Sequence, residues 1–506
     1  MMQTEYPWLS AITLGDADDA GRVVVSSHDG PLARIPAQVA ALVRAAQRDG
    51  RDDDVDRVLV EQVLRALDAL PAMHAVRPLG NGRPRRVQLR KPFSVQLTLL
   101  DPMRLMGRAQ WLAPLVRSAL TWWVLGVGTG LAIVTTVVLI AVPTSPLHGT
   151  VSVGGYLGVL AALVGGVFVH ELAHAATVVA FGGRSRRVGV MLFYLAPAFF
   201  CDASDAWSLP PVRRLQVAFA GVLSQGTLAA AAFAAMPFVD PRNQSALALF
   251  GLVNAGWGLA NLVPFVKLDG YVALAGYLDE PDLRAHCMTE ARAALTGDAP
   301  GSSAIRVAYG LACIAFPGII VLSAILAIGT LLAPLGRVGA WTALLAVAVL
   351  VLWGARRAVA VARAQDATWR TRAAAVASCA FAVAAVLVPL PLSAQGGYVL
   401  LPSGPVLALT SGTLDAPLGT EVTVRTPGLL PGEARGIVQV TGGPTNCEIP
   451  LDALVPVHDE QDLTLNARCW AVDAAAMPTT SGFAVADLGH QSLVAQVLHL
   501  LDGVRG

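Results

Sequence analysis

Charge is what this chain has least of. Only 14% of its 506 residues are charged, where a soluble protein carries roughly a quarter. With 55% hydrophobic residues and a mean hydropathy of +0.58, the shortfall points to a membrane. A formal net charge of +1 leaves no basic surplus, which argues against nucleic acid as the main partner. The N-terminus has no basic start followed by an apolar core, so no cleavable signal peptide is expected. Insertion then falls to internal spans, with the N-terminal region in the cytosol. Cysteine is scarce too: there are six, none in a CxxC pair, which argues against a thiolate zinc finger. Cys313 and Cys379 lie in apolar stretches, where a small buried thiol is the simplest reading.

Residues 1–80 are polar and mixed. A β-type run at Val23-Val24-Val25 precedes helical patterns at 35–46 and 55–70, predicting a small α+β domain, for which a winged helix is one candidate topology that the period alone does not fix. A connector over 81–118 carries Arg83, Arg85, Arg86, Arg90, Lys91, Arg104, Arg108 and Arg117. Interleaved with Phe93, Leu97, Leu99, Leu100, Trp111 and Leu112, it reads as a basic amphipathic segment along the inner membrane surface. Long apolar stretches follow at 119–142, 151–181, 215–236, 246–266, 307–332, 338–355 and 373–392. Each is near the ~20 residues that cross ~30 Å of hydrocarbon as a helix. The expected fold class is therefore an α-helical polytopic membrane protein of about seven spans.

Basic residues orient the set. The cluster before the first span is placed in the cytosol, and the uncharged loop 143–150 outside. Arg184, Arg186, Arg187, Arg213 and Arg214 put the next connection inside, as do Arg356, Arg357, Arg363, Arg370 and Arg372 before the last span. Residues 393–506 then fall outside the cell membrane as a β-rich extracytoplasmic domain, with short β-type runs at 398–401, 406–410, 421–424 and 437–440 and a helical pattern at 491–501. In an oxidising compartment Cys447 and Cys469 are candidates for a disulfide; sequence leaves open whether the sulfurs meet.

The second span contains His170-Glu171-Leu172-Ala173-His174. Positions i and i+4 share a helix face, so both imidazoles can hold one metal ion, while the intervening Glu projects nearby to take a proton from water. A catalytic zinc takes three protein ligands and leaves a fourth position open. Three ionisable side chains within about thirty otherwise uncharged apolar residues are costly in hydrocarbon and mark a functional site. The third ligand is expected at Asp269, in Asn261-Leu262-Val263-Pro264-Phe265-Val266-Lys267-Leu268-Asp269-Gly270. Pro264 and Gly270 permit a broken helix there. Taken without the histidines, Asp269 reads as no more than the start of a cytosolic turn.

HELAH in one span and NLVPFVKLDG in a later one resemble the site-2 protease family of intramembrane metalloproteases, whose signatures are HExxH and a distal NxxPxxxLDG. The resemblance implies that His170, His174 and Asp269 bind Zn2+ and that Glu171 is the general base. It leaves Asn261 between positioning substrate or stabilising the oxyanion on one side and a structural hydrogen bond within a helix on the other. Ala220-Gly221-Val222-Leu223-Ser224-Gln225 looks like a variant of the family's small-residue span, without its proline. HELAHAATVVAFGGR and VMLFYLAPAFFCDASDAW narrow the likeness to peptide zinc metalloproteases of ribosomal peptide biosynthesis, of the daptide type. That likeness covers residues 1–300, divided as an N-terminal peptide-binding domain (1–80), the connector and a protease core (119–300); further spans (301–392) and the C-terminal domain (393–506) follow.

Within that region, 191–200 reads either as a membrane-dipping β-hairpin with an edge open to substrate or as a segment packed on helices. Asp202 and Asp205 read as site partners or, more simply, as a helix cap at Ser204 or Asp205. The resemblance implies a multi-pass protein of the bacterial cell membrane that removes the leader from a precursor peptide held by the N-terminal domain. The alternatives are regulated intramembrane cleavage of a signalling protein and a non-catalytic peptide export or immunity component.

Overall fold

The computed structural model describes residues 6, 8–9, 12–17, 21–27, 30–47, 57–68, 87–90, 94–108, 110–185, 187–193, 196–296 and 303–332. Beyond isolated positions it also describes 389–409, 418–430, 432, 434–454, 456–458, 463–473 and 481–492. The chain divides into two compact units, one of Met1–Gly130, Val164–Leu228 and Trp257–Pro281, the other of Leu131–Leu163, Ala229–Gly256 and Asp282–Gly506.

The first unit opens with an antiparallel sheet, β1 (Ile12–Ala17), β2 (Arg22–Ser27) and β3 (Gly30–Pro36), in the order β1-β2-β3. Helices α1 (Ala37–Gln47) and α2 (Arg57–Asp68) follow. The alternating Val23 and Val25 meet Val43, Leu64 and Leu9 in one buried cluster, each such side chain contributing roughly 1.5–3 kcal/mol. Trp8 joins through its indole N–H, which donates to Asp68 at 2.9 Å.

The connector departs from expectation. Instead of lying along a surface throughout, it forms strands β4 (Val87–Arg90) and β5 (Ser94–Leu100), then short helices α3 (Pro102–Arg108) and α4 (Ala113–Arg117). Val95, Leu97 and Leu99 alternate with Gln96 and Thr98, a two-residue period suited to a strand. These strands join a hairpin, β7 (Val188–Phe193) and β8 (Ala196–Cys201), in the order β4-β5-β7-β8. Before it in the chain come α5 (Ala119–Ala141), the two-residue strand β6 (Val151–Ser152) and α6 (Val153–Ala180). After it come α7 (Pro211–Ala235), α8 (Pro241–Asn261) and α9 (Asp269–Tyr277).

Three helices among the described residues are long and apolar enough to cross a membrane: Ala119–Ala141, Val153–Ala180, and Pro211–Phe238 counting a terminal 3-10 turn. On α5, Leu120, Trp123, Val127, Leu131, Val134 and Val138 are exposed, which suits contact with lipid rather than water. The fourth expected span, 246–266, is not one continuous helix, because α8 ends at Asn261 before Pro264. The fifth lies in α11 (Ala304–Leu332), after α10 (Leu283–Thr296). The sixth and seventh, 338–355 and 373–392, fall almost entirely outside the described residues, and the described end of the seventh, 389–392, is corrected to β-strand.

The second unit carries a β-rich C-terminal region. Strands β9 (Pro389–Leu401), β10 (Gly404–Leu409), β11 (Glu421–Arg425), β12 (Ala434–Pro450), β14 (Thr464–Asp473) and β15 (Ser481–Ser492) close a barrel in the order β10-β14-β12-β11-β15-β9. Tyr398, Leu407, Val422, Val438 and Trp470 fill it. Cys447 and Cys469, on the paired β12 and β14, are joined by a disulfide with Cα atoms 6.0 Å apart. A short helix, α12 (Leu451–Leu454), leads to β13 (Val457–His458). There β13 pairs in parallel with β6, and Leu429 and Leu430 donate to the carbonyls of Gly149 and Leu147 at 3.0 and 2.9 Å. The expected helix at 491–501 is corrected at its start, since Gln491 and Ser492 end strand β15; the rest lies outside the described residues.

Candidate metal centre

One helix supplies two donors. His170 and His174 lie one turn apart on α6, both buried, with ring centroids 4.8 Å apart and planes at 83°. The helix end behind them is fixed twice. Gly182 takes φ +93 and Gly183 N–H donates to Val178 at 3.0 Å, a glycine stop of the Schellman kind. Arg117 then donates from Nε to the Ala180 carbonyl at 2.6 Å, placing a cation at the negative end of the helix.

The third donor arrives by a break in the chain. Helix α8 stops at Asn261, and Asp269 opens α9 after the extended Leu268. Gly270 makes this fold possible: a Cβ there would sit 2.1 Å from the Leu262 carbonyl oxygen, so only glycine lets the returning chain pass that close. Asp269 Oδ2 thereby comes to 3.1 Å from His170 Nε2, and Oδ1 to 3.4 Å from His174 Nε2. The two Nε2 atoms are 3.2 Å apart.

These separations fit a cation. Nitrogen and oxygen donors at roughly 2.0–2.2 Å around a tetrahedral zinc stand about 3.3 Å from one another. The protonation pattern fits as well. His174 Nδ1 lies 2.7 Å from the Val217 carbonyl, which can only accept, so Nδ1 carries the proton and the Nε2 lone pair faces the centre. Asp269 Oδ2 is buried and makes no hydrogen bond despite its closeness to His170 Nε2. A buried acceptor left alone costs about 1–3 kcal/mol, a penalty that an ion at the common centre removes. Two imidazoles and one carboxylate are residue types that can hold a zinc ion while leaving it a further position.

Helix α7 backs the centre. A Cβ on Gly221 would fall 2.4 Å from His174 Nε2 and 2.6 Å from His170 Nε2, so the small-residue run 220–225 seats its glycine directly against the donor atoms. Beside them lies a cavity of about 210 Å³ lined by Glu171, His174, Asp269, Cys201, Trp207 and Arg214 among others. The Cys201 backbone offers Glu171 a hydrogen bond. Burial pushes the Cys201 thiol up to about 12, so it stays neutral there. Strand β8, which ends at Cys201, is the last in its sheet among the described residues, and β5 covers the other side of the hairpin.

The remaining expected residues are placed as follows. Asn261 is half-buried at the end of α8 and does not line the cavity. Asp205 is corrected as a cap: the 3-10 turn Ser204–Ser208 has no side-chain cap, and Asp205 instead accepts the Arg184 backbone N–H at 3.0 Å. Asp202 accepts from Ser204 N–H at 3.3 Å. Gly221 and Arg214 were given no part in the centre by sequence reasoning; the close approach at Gly221 shows only once α6 and α7 are packed. Compared with protein-family models, curated proteins and solved structures, the chain matches none.

Proposed function

We propose that this chain is an intramembrane zinc metallopeptidase of the site-2 protease type, which hydrolyses a peptide bond to free a ribosomally made peptide from its leader. The observation that carries the reading is the convergence of His170, His174 and Asp269, whose donor atoms lie within 4.8 Å of one another, beside a cavity that also holds Glu171. The N-terminal α+β domain would hold the precursor. In this reading an odd number of spans would put that domain in the cytosol and the C-terminal region outside, where an oxidising compartment would maintain Cys447–Cys469. His174 then lies about 9 Å from the cytosolic end of α6 at helical rise.

His170, His174 and Asp269 would hold zinc. When bound, it supplies a Lewis acid that polarises the scissile carbonyl and brings the pKa of a water near neutrality. Glu171 takes a proton from that water and returns it to the leaving amine. Peptide bonds in a helix are shielded by their own hydrogen bonds, so the substrate arrives extended. The edge of β8, the last strand of its sheet among the described residues, suits such a strand, because main-chain pairing along it leads to Cys201 and Glu171. Trp207 lines the same cavity as Glu171.

The test is co-expression with short precursor peptides encoded beside the gene, read by mass spectrometry. Wild type should release leader-free core peptide. Glu171→Gln should leave the precursor intact yet purify with zinc; cleavage by that variant refutes the mechanism.

A further inference from the structure

A buried charge next to the cavity has no part in the chemistry above. Arg214, in the first turn of α7, keeps only 7% of its side chain exposed. Its Nε donates to the Leu209 carbonyl at 2.6 Å, and one terminal nitrogen donates to the Gly276 carbonyl at 3.2 Å and to the Asp279 carboxylate. Gly276 lies at the far end of α9, the helix whose first residue is Asp269, and Asp279 follows directly after that helix. A Cβ on Gly276 would stand 3.3 Å from Arg214 Cβ, so the two segments lie flush. The same α7 supplies the Val217 carbonyl that orients His174, and Gly221 against both imidazoles. One helix thus touches two donors and clamps the short helix that carries the third.

Asp279 takes φ 57, the left-handed region where a residue other than glycine is uncommon. Its second carboxylate oxygen pairs with Arg22 at 2.8 Å. Arg22 belongs to β2 of the N-terminal domain, and that domain's β3 also packs against the turn Ser204–Ser208, which contributes Ala206 and Trp207 to the cavity wall. Both ends of the carboxylate are therefore gripped, one by the helix that backs the metal centre and one by the domain at the start of the chain.

We propose that Arg214 and Asp279 are positioning residues for Asp269, and that the N-terminal domain tightens the same latch through Arg22, so that metal affinity at the centre depends on how that domain is seated. The inference rests on the zinc reading above and adds a residue path to it. A merely structural ion pair would change unfolding without changing metal affinity, so affinity is the quantity to measure.

The experiment uses the purified full chain in detergent, with the zinc dissociation constant measured by chelator competition and apo-protein unfolding followed in parallel. Asp279→Asn keeps a residue that tolerates the left-handed conformation and should weaken zinc about tenfold, the low end for a partner outside the ligand shell. Arg214→Lys, which lacks the planar fork, should do the same. Arg22→Ala removes a half-exposed pair and should cost at most about fivefold. Combined with Asp279→Asn, it should add nothing further, because both act on one carboxylate. Should Arg214→Lys fail to fold, the milder Asp279→Asn and Arg22→Ala decide the matter. Zinc held by Asp279→Asn as tightly as by wild type overturns the latch, and an additive double variant overturns the link to the N-terminal domain. A wild-type chain that takes no zinc refutes the metallopeptidase reading instead, so the failures are told apart.

Discussion

Replacing Gly221 by alanine separates the metal centre from the fold that carries it. The added methyl would meet His174 Nε2 at 2.4 Å and His170 Nε2 at 2.6 Å. Ordinary contact for such atoms begins near 3.4 Å, so His174 would have to withdraw by about 1 Å, whereas a metal site tolerates about 0.2 Å in its ligand distances. The ring cannot withdraw freely, because its Nδ1 is tied to the Val217 carbonyl at 2.7 Å. Zinc affinity should fall at least about 100-fold, or roughly 2.7 kcal/mol. The fold should lose little: alanine is about 1 kcal/mol better than glycine within a helix, against an overpacking cost of about 1–3 kcal/mol. Apo variant and apo wild type should therefore unfold within about 2 kcal/mol of each other. Gly165→Ala on α6 is the matched control, since a Cβ there meets nothing within 4 Å. The assay is zinc per chain by elemental mass spectrometry, with chelator competition and thermal unfolding in excess chelator. A Gly221→Ala protein with full zinc at unchanged affinity would refute the placement of α7 against the two histidines.

Three other outcomes are expected. Asp269→Ala should purify without zinc, whereas Glu171→Gln should keep it and lose at least about 100-fold in cleavage rate, the low end for a removed general base; zinc retained by Asp269→Ala would show that the third donor lies elsewhere. Cys201, with its thiol held up to about 12 by burial, is neutral below that value, so it should resist alkylation at pH 8 in the folded chain and react only after unfolding; rapid labelling of the native protein would contradict that. Reducing the Cys447–Cys469 bond, which closes a loop of 22 residues, should lower the stability of the barrel by about 3 kcal/mol, measured by denaturant titration with and without reductant.

The histidine pair could be read from sequence because helix geometry is local: a spacing of four fixes a shared face wherever the helix lies. Asp269 needed a motif, since nothing local says that a carboxylate beyond a broken helix returns to an earlier one. Gly270 was visible as a helix breaker, but its contact with Leu262 is a property of the returned chain. Strand β5 carried its own signal in the alternation of Val95, Leu97 and Leu99, outweighed by the neighbouring arginines that suggested a membrane surface. Its partner β7 lies far along the sequence, and register across such a distance is set by tertiary packing. Arg214 and Asp279 were hidden for a related reason: an arginine at the end of an apolar span reads as an orientation signal, and only the folded chain turns it inward to Gly276 and Asp279.

In the proposed reading, the break between α8 and α9 also bears on when activity would arise during synthesis. The two histidines are synthesised and inserted long before Asp269, which must fold back past Leu262 before it can reach them. Through that interval a two-donor centre holds zinc weakly, and Glu171 has nothing to assist. In the proposed reading a half-inserted chain is thus inert, and hydrolytic power appears only once the segment carrying Asp269 has docked.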